Sequence, residues 1–137
     1  MMKMRAGLLV VGLLVVSWAV FAQGARRDGR WEVKIETDVN GAPSGQPPTT
    51  LTQCVTPKDV DDPLKVIPVD PSSGCKFQDH KVDGNKVTWS AKCVDPDRTG
   101  TVELIYSADA YTGATKLLVE GMNFTFRYTA KRLGDCK

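Results

Sequence analysis

The chain has 137 residues, room for one domain of ordinary size, and 25% of them are charged. Its 18 basic residues stand against 16 acidic ones, but Lys3 and Arg5 sit at the extreme N-terminus, and without those two the chain is formally neutral. Neutrality argues against an electrostatic nucleic-acid binder, which needs a clustered excess of Lys and Arg.

Lys3 and Arg5 precede an apolar run from Leu8 to Val16 that continues through Trp18 to Phe21, with Val20 and Ala22 as small or apolar residues just before Gln23. This pattern predicts a secretory signal peptide over residues 1–22, cleaved after Ala22, and an exported, periplasmic mature chain over residues 23–137. The run is short of the about 20 apolar residues a membrane span requires, so no span is expected after cleavage. All four cysteines, Cys54, Cys75, Cys93 and Cys136, lie beyond the leader. An even count in an exported chain predicts two disulfides, and the wide spacings do not fit the close ligand pairs of a zinc site.

Strand signals follow one another along the rest of the chain. Trp31, Val33 and Ile35 alternate with Glu32, Lys34 and Glu36, which is the period of a strand with one apolar and one charged face. Asn40 to Pro48, with two glycines and three prolines, is expected to be a loop. Thr49 to Val55 is rich in β-branched residues and predicts a second strand. At Thr56-Pro57-Lys58-Asp59 the spacing predicts one short helix, with Thr56 as N-cap, Pro57 as its first residue, and Pro63 ending it. Asp70 to Gly74 is a second loop. From Cys75 a meander is expected: Lys76–Val82, Lys86–Val94, Thr101–Ser107, Tyr111–Val119 and Met122–Arg132, with turns between. The fold class is therefore all-β, an antiparallel meander of about seven strands forming a small barrel or sandwich as a single domain.

Asp83-Gly84-Asn85 is a hairpin signal. A three-residue loop there pairs Val82 with Lys86, and counting outward places Cys75 opposite Cys93. Directly opposed residues in an antiparallel pair have Cβ atoms about 4.5–5.5 Å apart, near the separation that a disulfide bridges. The favoured pairing is Cys75–Cys93 with Cys54–Cys136. A two-residue loop shifts the register, and the pairing Cys54–Cys75 with Cys93–Cys136 stays open.

Several segments, in order, carry a resemblance. They are Gly29-Arg30-Trp31-Glu32-Val33, Cys54-Val55-Thr56-Pro57-Lys58-Asp59, Cys75, and Gly84-Asn85-Lys86-Val87-Thr88-Trp89 leading to Cys93. Gly100-Thr101-Val102-Glu103, Tyr106-Ser107, Tyr111-Thr112-Gly113 and the closing Lys131-Arg132-Leu133-Gly134-Asp135-Cys136 complete the set. The ordered set resembles the bacterial domain-of-unknown-function family numbered 3617 over nearly the whole mature chain. The resemblance implies an exported proteobacterial protein and transfers no activity. Lys58 departs from the pattern, where an acidic residue is expected before Asp59.

Groups with catalytic potential are few. His80, the one histidine, has the titration range of a general base, but it sits in mid-strand without a motif neighbour. Asp79 points to the opposite strand face, so the two cannot act together without a bulge. Ser90 and Ser107 lack the strand-turn-helix context of an activated serine, and no Gly-rich phosphate loop opens a helix. The acidic groups Asp59, Asp61, Asp62 and Asp95, Asp97 lack the ligand spacing of a calcium loop and fit helix caps and turns. Asn123-Phe124-Thr125 matches a glycosylation acceptor by chance composition. No metal or cofactor is expected.

The aromatic residues are the remaining functional lead. Met122, Phe124, Phe126 and Tyr128 share one face of the last expected strand. Trp31, Trp89, Tyr106, Phe124 and Phe126 form a candidate apolar ligand pocket in a half-open barrel, or else its filled core. The leading expectation is a non-enzymatic binding or accessory protein for an apolar small molecule or an envelope partner. The rivals are a module that pairs through an exposed sheet edge and a hydrolase using carboxylates such as Asp59 or Asp79.

Overall fold

The computed structural model describes residues 27–68, 74–94 and 96–136. The expected signal peptide, the leader through residue 26, most of the loop before Gly74, and Asp95 lie outside the described residues. Among the described residues, no helix is long and apolar enough to cross a membrane.

The strands are β1 (Gly29–Val39), β2 (Ala42–Pro43), β3 (Thr49–Val55), β4 (Cys75–Asp83), β5 (Lys86–Cys93), β6 (Arg98–Ser107), β7 (Ala110–Val119) and β8 (Met122–Gly134). They form one antiparallel sheet in which β1 pairs β8 and the order then runs β7, β6, β5, β4, while β2 and β3 both pair β1 on its other side. The all-β antiparallel expectation holds. The expected barrel is not closed, because β3 and β4 are edges with no ladder between them.

The sheet nevertheless curls around its apolar face. In a flat sheet, β1 and β6 would lie about 14 Å apart, three strand spacings. Yet the Trp31 and Tyr106 ring centroids are 6.1 Å apart, and Trp31 and Tyr111 are 5.2 Å apart. Alternation explains which residues meet. Trp31 and Val33 of β1, Val87 and Trp89 of β5, Val102, Leu104 and Tyr106 of β6, Tyr111 of β7, and Tyr128 and Ala130 of β8 all fall on one face and form one buried cluster. Two glycines on that face make room for the bend. Gly100 and Gly113 lie under Leu117 and Leu104, and a Cβ on either would overlap the backbone carbonyl of Lys116 or Glu103.

At the open seam, the described residues that follow β3 pack against the cluster. They form a 3-10 turn (Pro57–Asp59) and a one-turn helix, α1 (Pro63–Val66). Val66 and Ile67 are buried in the same cluster, and the Gln53 side-chain amide donates to the Val66 carbonyl at 2.6 Å. The expected single helix is thus two turns. Pro63 does not merely end the first; it opens the second, where a missing N–H and a fixed φ cost nothing. Asp62 caps it by accepting from Leu64 N at 3.0 Å.

The hairpin β4–β5 differs from expectation in an instructive way. Its loop has two residues, so Asp83 pairs Lys86 and Val82 pairs Val87. That shifts the register by one residue from the expected count. A bulge between Gln78 and Lys81 shifts it back, so Cys75 faces Cys93 after all. Both expected disulfides are present, Cys75–Cys93 and Cys54–Cys136. The second ties edge strand β3 to the end of β8, across β1.

The expected loop from Asn40 to Pro48 contains a short hairpin. Asn40 and Gly41 both adopt positive φ, 51° and 81°, the geometry of a tight type I′ turn. Val39 then pairs Ala42. Asn40 also joins the neighbouring turn: its N donates to Asn123 O at 2.7 Å, and its side-chain oxygen accepts from Asn123 N at 2.9 Å.

Candidate ligand cavity

The inner face of the curled sheet is packed at one end and hollow at the other. At the packed end the Tyr106 and Tyr111 rings stand 5.2 Å apart beside Trp31. The Trp31 indole N–H donates to Arg27 O at 3.0 Å, and the Arg27 guanidinium lies 5.1 Å over the Tyr106 ring. Arg132 closes this end, its Nε donating to Asp28 O at 2.7 Å and its Nη2 pairing Asp135 at 2.6 Å. Burial pushes the Tyr106 hydroxyl up to about 12, with the Arg27 charge working the other way.

At the other end lies a cavity of about 350 Å³, near the small end of the about 300–1,000 Å³ typical of small-molecule sites. Alternation sets its walls. Ile35 and Thr37 continue the inner face of β1, Thr115 and Leu117 that of β7, Phe126 and Tyr128 that of β8; Thr49, Pro68, Cys75 and Arg98 complete the lining. The Tyr128 hydroxyl donates to the Thr115 hydroxyl at 2.7 Å, so this buried polar pair is satisfied internally. Burial pushes the Tyr128 hydroxyl up to about 12, partly offset by that hydrogen bond. Among the described residues, Arg98 is the one charged residue in the lining. It opens β6, pairs Cys93 and Val119 in the ladders, and its Nε donates to Pro96 O at 3.2 Å.

The five residues of the candidate pocket separate. Trp31, Trp89 and Tyr106 are 1%, 3% and 2% exposed and belong to the packed core. Phe126 lines the cavity. Phe124 is half-buried on the same face, between Val39 and Leu117 in the ladders, outside the lining. The residue that pattern reading missed is Arg98. It is in phase with Gly100, Val102, Leu104 and Tyr106, but the strand was expected to begin only at Thr101, which hid an arginine on the apolar face.

The other titratable groups sit elsewhere. The β4 bulge puts both Asp79, at φ 56°, and His80 opposite Trp89. His80 stays exposed, but its ring stacks on Trp89 with centroids 5.1 Å apart and planes 16° apart, and its Nε2 is 3.8 Å from Asp61 Oδ1. Asp59 accepts from the Thr56 hydroxyl at 2.6 Å, and Asp62 caps α1. Ser90 is half-buried in β5 and Ser107 exposed at the end of β6. Among the described residues, no three His, Cys, Asp or Glu side chains gather as metal ligands.

No curated protein and no solved structure matches the chain. The model of a family described as a protein of unknown function (DUF3617) matches residues 26–136, and the chain belongs to that family.

Proposed function

We propose that the protein is an exported, non-enzymatic binding protein that takes an apolar small molecule into the hollow end of its curled sheet. The observation that carries this reading is the division of the inner face. One end is filled by interlocked aromatic rings, while the other leaves a cavity of about 350 Å³ walled by Ile35, Leu117, Phe126 and Tyr128. A sheet that needed only a core would fill both ends, since interiors pack to crystal density. Two disulfides support an oxidising compartment, in keeping with the N-terminal leader. Of the carboxylates a hydrolase would use, Asp59 is engaged with the Thr56 hydroxyl and Asp79 lies exposed in the β4 bulge, which favours a binding role. Native mass spectrometry of protein purified from the periplasm is the test. A bound small molecule released on unfolding supports the reading. The bare polypeptide mass, together with failure to bind the neutral apolar probe N-phenyl-1-naphthylamine saturably, overturns it.

A second reading rests on the two sheet edges. β4 is bulged and carries Lys76 and Lys81, features that deter pairing with another chain. β3, Thr49–Val55, is straight through its pairing with β1 and has no charged residue. That edge suits an extended strand from an envelope partner. Fast hydrogen exchange along β3 that slows on adding the partner would support this role; uniform protection of β3 in the isolated protein would count against it.

A further inference from the structure

Thr115 and Tyr128 put a pair of buried hydroxyls into the wall of the cavity. Each residue is 4% exposed, and both belong to the lining beside Leu117 and Phe126. A hydroxyl among apolar side chains costs free energy unless it is hydrogen-bonded. These two meet at 2.7 Å, Tyr128 donating and Thr115 accepting. Each hydroxyl carries one proton, so a pair that shares one bond uses one proton of its two. The proton left over is that of Thr115. Among the described residues, nothing accepts it: the bond from Tyr128 is the one hydrogen bond that the Thr115 hydroxyl makes. The Tyr111 hydroxyl, buried on the same face, makes no hydrogen bond at all. Burial keeps Tyr128 protonated up to about 12, so the pair is neutral through the ordinary pH range. Water in the cavity can take the spare proton, but an apolar ligand that displaces this water strands it. A buried donor left without an acceptor carries its full desolvation penalty, so a ligand with an acceptor at that point is favoured over one without.

We propose that the ligand is a neutral apolar molecule with a carbonyl group, a ketone or an ester, whose oxygen accepts from the Thr115 hydroxyl while its hydrocarbon part lies along Ile35, Leu117 and Phe126. A carbonyl oxygen brings an acceptor and no further proton that would need a partner of its own. No bond is made or broken; the ligand is held and released. This rests on the binding role proposed above, and the two are separated by comparing ligands of one shape that differ only in the acceptor.

The experiment titrates 2-acetylnaphthalene and 2-isopropenylnaphthalene, which differ by an oxygen in place of a methylene, into the full mature protein with both disulfides formed. Water solvates the ketone better than the alkene by a fixed amount, so the readout is the ratio of the two affinities and its change between variants. The double variant Thr115→Val, Tyr128→Phe keeps both side-chain shapes and removes both hydroxyls, a change that is close to neutral for folding. Its ketone-to-alkene ratio is expected to fall about fivefold from that of the wild type, the worth of one neutral hydrogen bond of about 1 kcal/mol. Tyr128→Phe alone is expected to hold the wild-type ratio, because the donated proton belongs to Thr115. In the wild type, the infrared carbonyl band of the bound ketone is expected at lower frequency than in hexane. A ratio that does not fall in the double variant, or a bound carbonyl band at its hexane position, overturns the carbonyl assignment and leaves the apolar cavity role standing. Binding of neither ligand by the wild type overturns both.

Discussion

Gly100 offers the sharpest test of how the sheet is bent. Its φ is not in the left-handed region, so an alanine meets no conformational obstacle there. In an open site, Gly→Ala would then stabilise by about 0.4–1 kcal/mol through the unfolded chain. Space decides the opposite way. The new Cβ would overlap the Lys116 carbonyl oxygen, and would stand 2.8 Å from Leu117 Cδ2 and 2.9 Å from the Lys116 carbonyl carbon. Carbon atoms prefer separations of about 3.5 Å or more. Leu117 can swing aside only into the cavity, and the carbonyl can retreat only by opening the β6–β7 ladder where Gly100 faces Leu117. Overpacking of this kind costs about 1–3 kcal/mol, and a lost ladder hydrogen bond about 1 more. Gly100→Ala is therefore expected to lose about 2–3 kcal/mol net, a fall of about 10 °C in Tm for a domain of this size. Urea unfolding followed by tryptophan fluorescence reads it directly. A variant as stable as the wild type, or more so, would refute the claim that Gly100 is there for close approach across the bend.

Other expectations follow from the same geometry. Replacing Cys54 and Cys136 by serine opens a loop of sequence separation 82. It should cost about 4–5 kcal/mol in the chain-entropy account, more than the about 3 kcal/mol expected for Cys75–Cys93 at separation 18; paired thermal melts of the two double-serine variants check the order. Tyr106 and Tyr128 ionise near pH 10 unfolded and near pH 12 folded, so the folded state holds their protons longer. Their stabilising contribution is full below pH 10 and is lost as pH rises through 12. Tyrosinate absorbance and far-UV circular dichroism should therefore change together in alkali, and titration near pH 10 with the fold intact would contradict it. Tyr128→Phe removes the bond to Thr115 and should cost about 1–2 kcal/mol, measured by urea unfolding. Leu117→Trp should fill the cavity and abolish probe binding while leaving the melt within a few degrees, and unchanged probe affinity would move the site elsewhere.

Much of the fold was legible because alternation is a strong signal in a half-buried sheet. Trp31-Glu32-Val33-Lys34-Ile35 and the β6 to β8 meander show which face goes inward, and the cysteines lie on the faces that let them meet. In the sequence, the Cys75–Cys93 pairing follows from a three-residue loop. It arises from a two-residue loop and a bulge whose shifts cancel, and bulges leave little trace in residue type; Asp79, tolerant of positive φ, was the only hint. Asn40-Gly41 was a legible turn masked by the prolines that follow it. Pro63 reads as a stop in the sequence because a proline that breaks one helix and a proline that starts the next look alike in a line of letters. Closure of the barrel was not legible, since an edge strand and an interior strand can share one pattern, as β3 does. Nor was the division between packed and hollow ends: Trp31 and Phe126 obey the same alternation, and what separates them is the reach of rings from strands distant in the chain.

The most direct test of the central claim, that the hollow end receives an apolar ligand, is an NMR titration of the uniformly labelled mature protein with N-phenyl-1-naphthylamine. The account predicts saturable shifts confined to the cavity walls, at Ile35, Thr37, Thr115, Leu117, Phe126 and Tyr128, with Trp31, Tyr106 and Tyr111 still. Shifts centred on the packed end or the outer sheet face, or none that saturate, would contradict it.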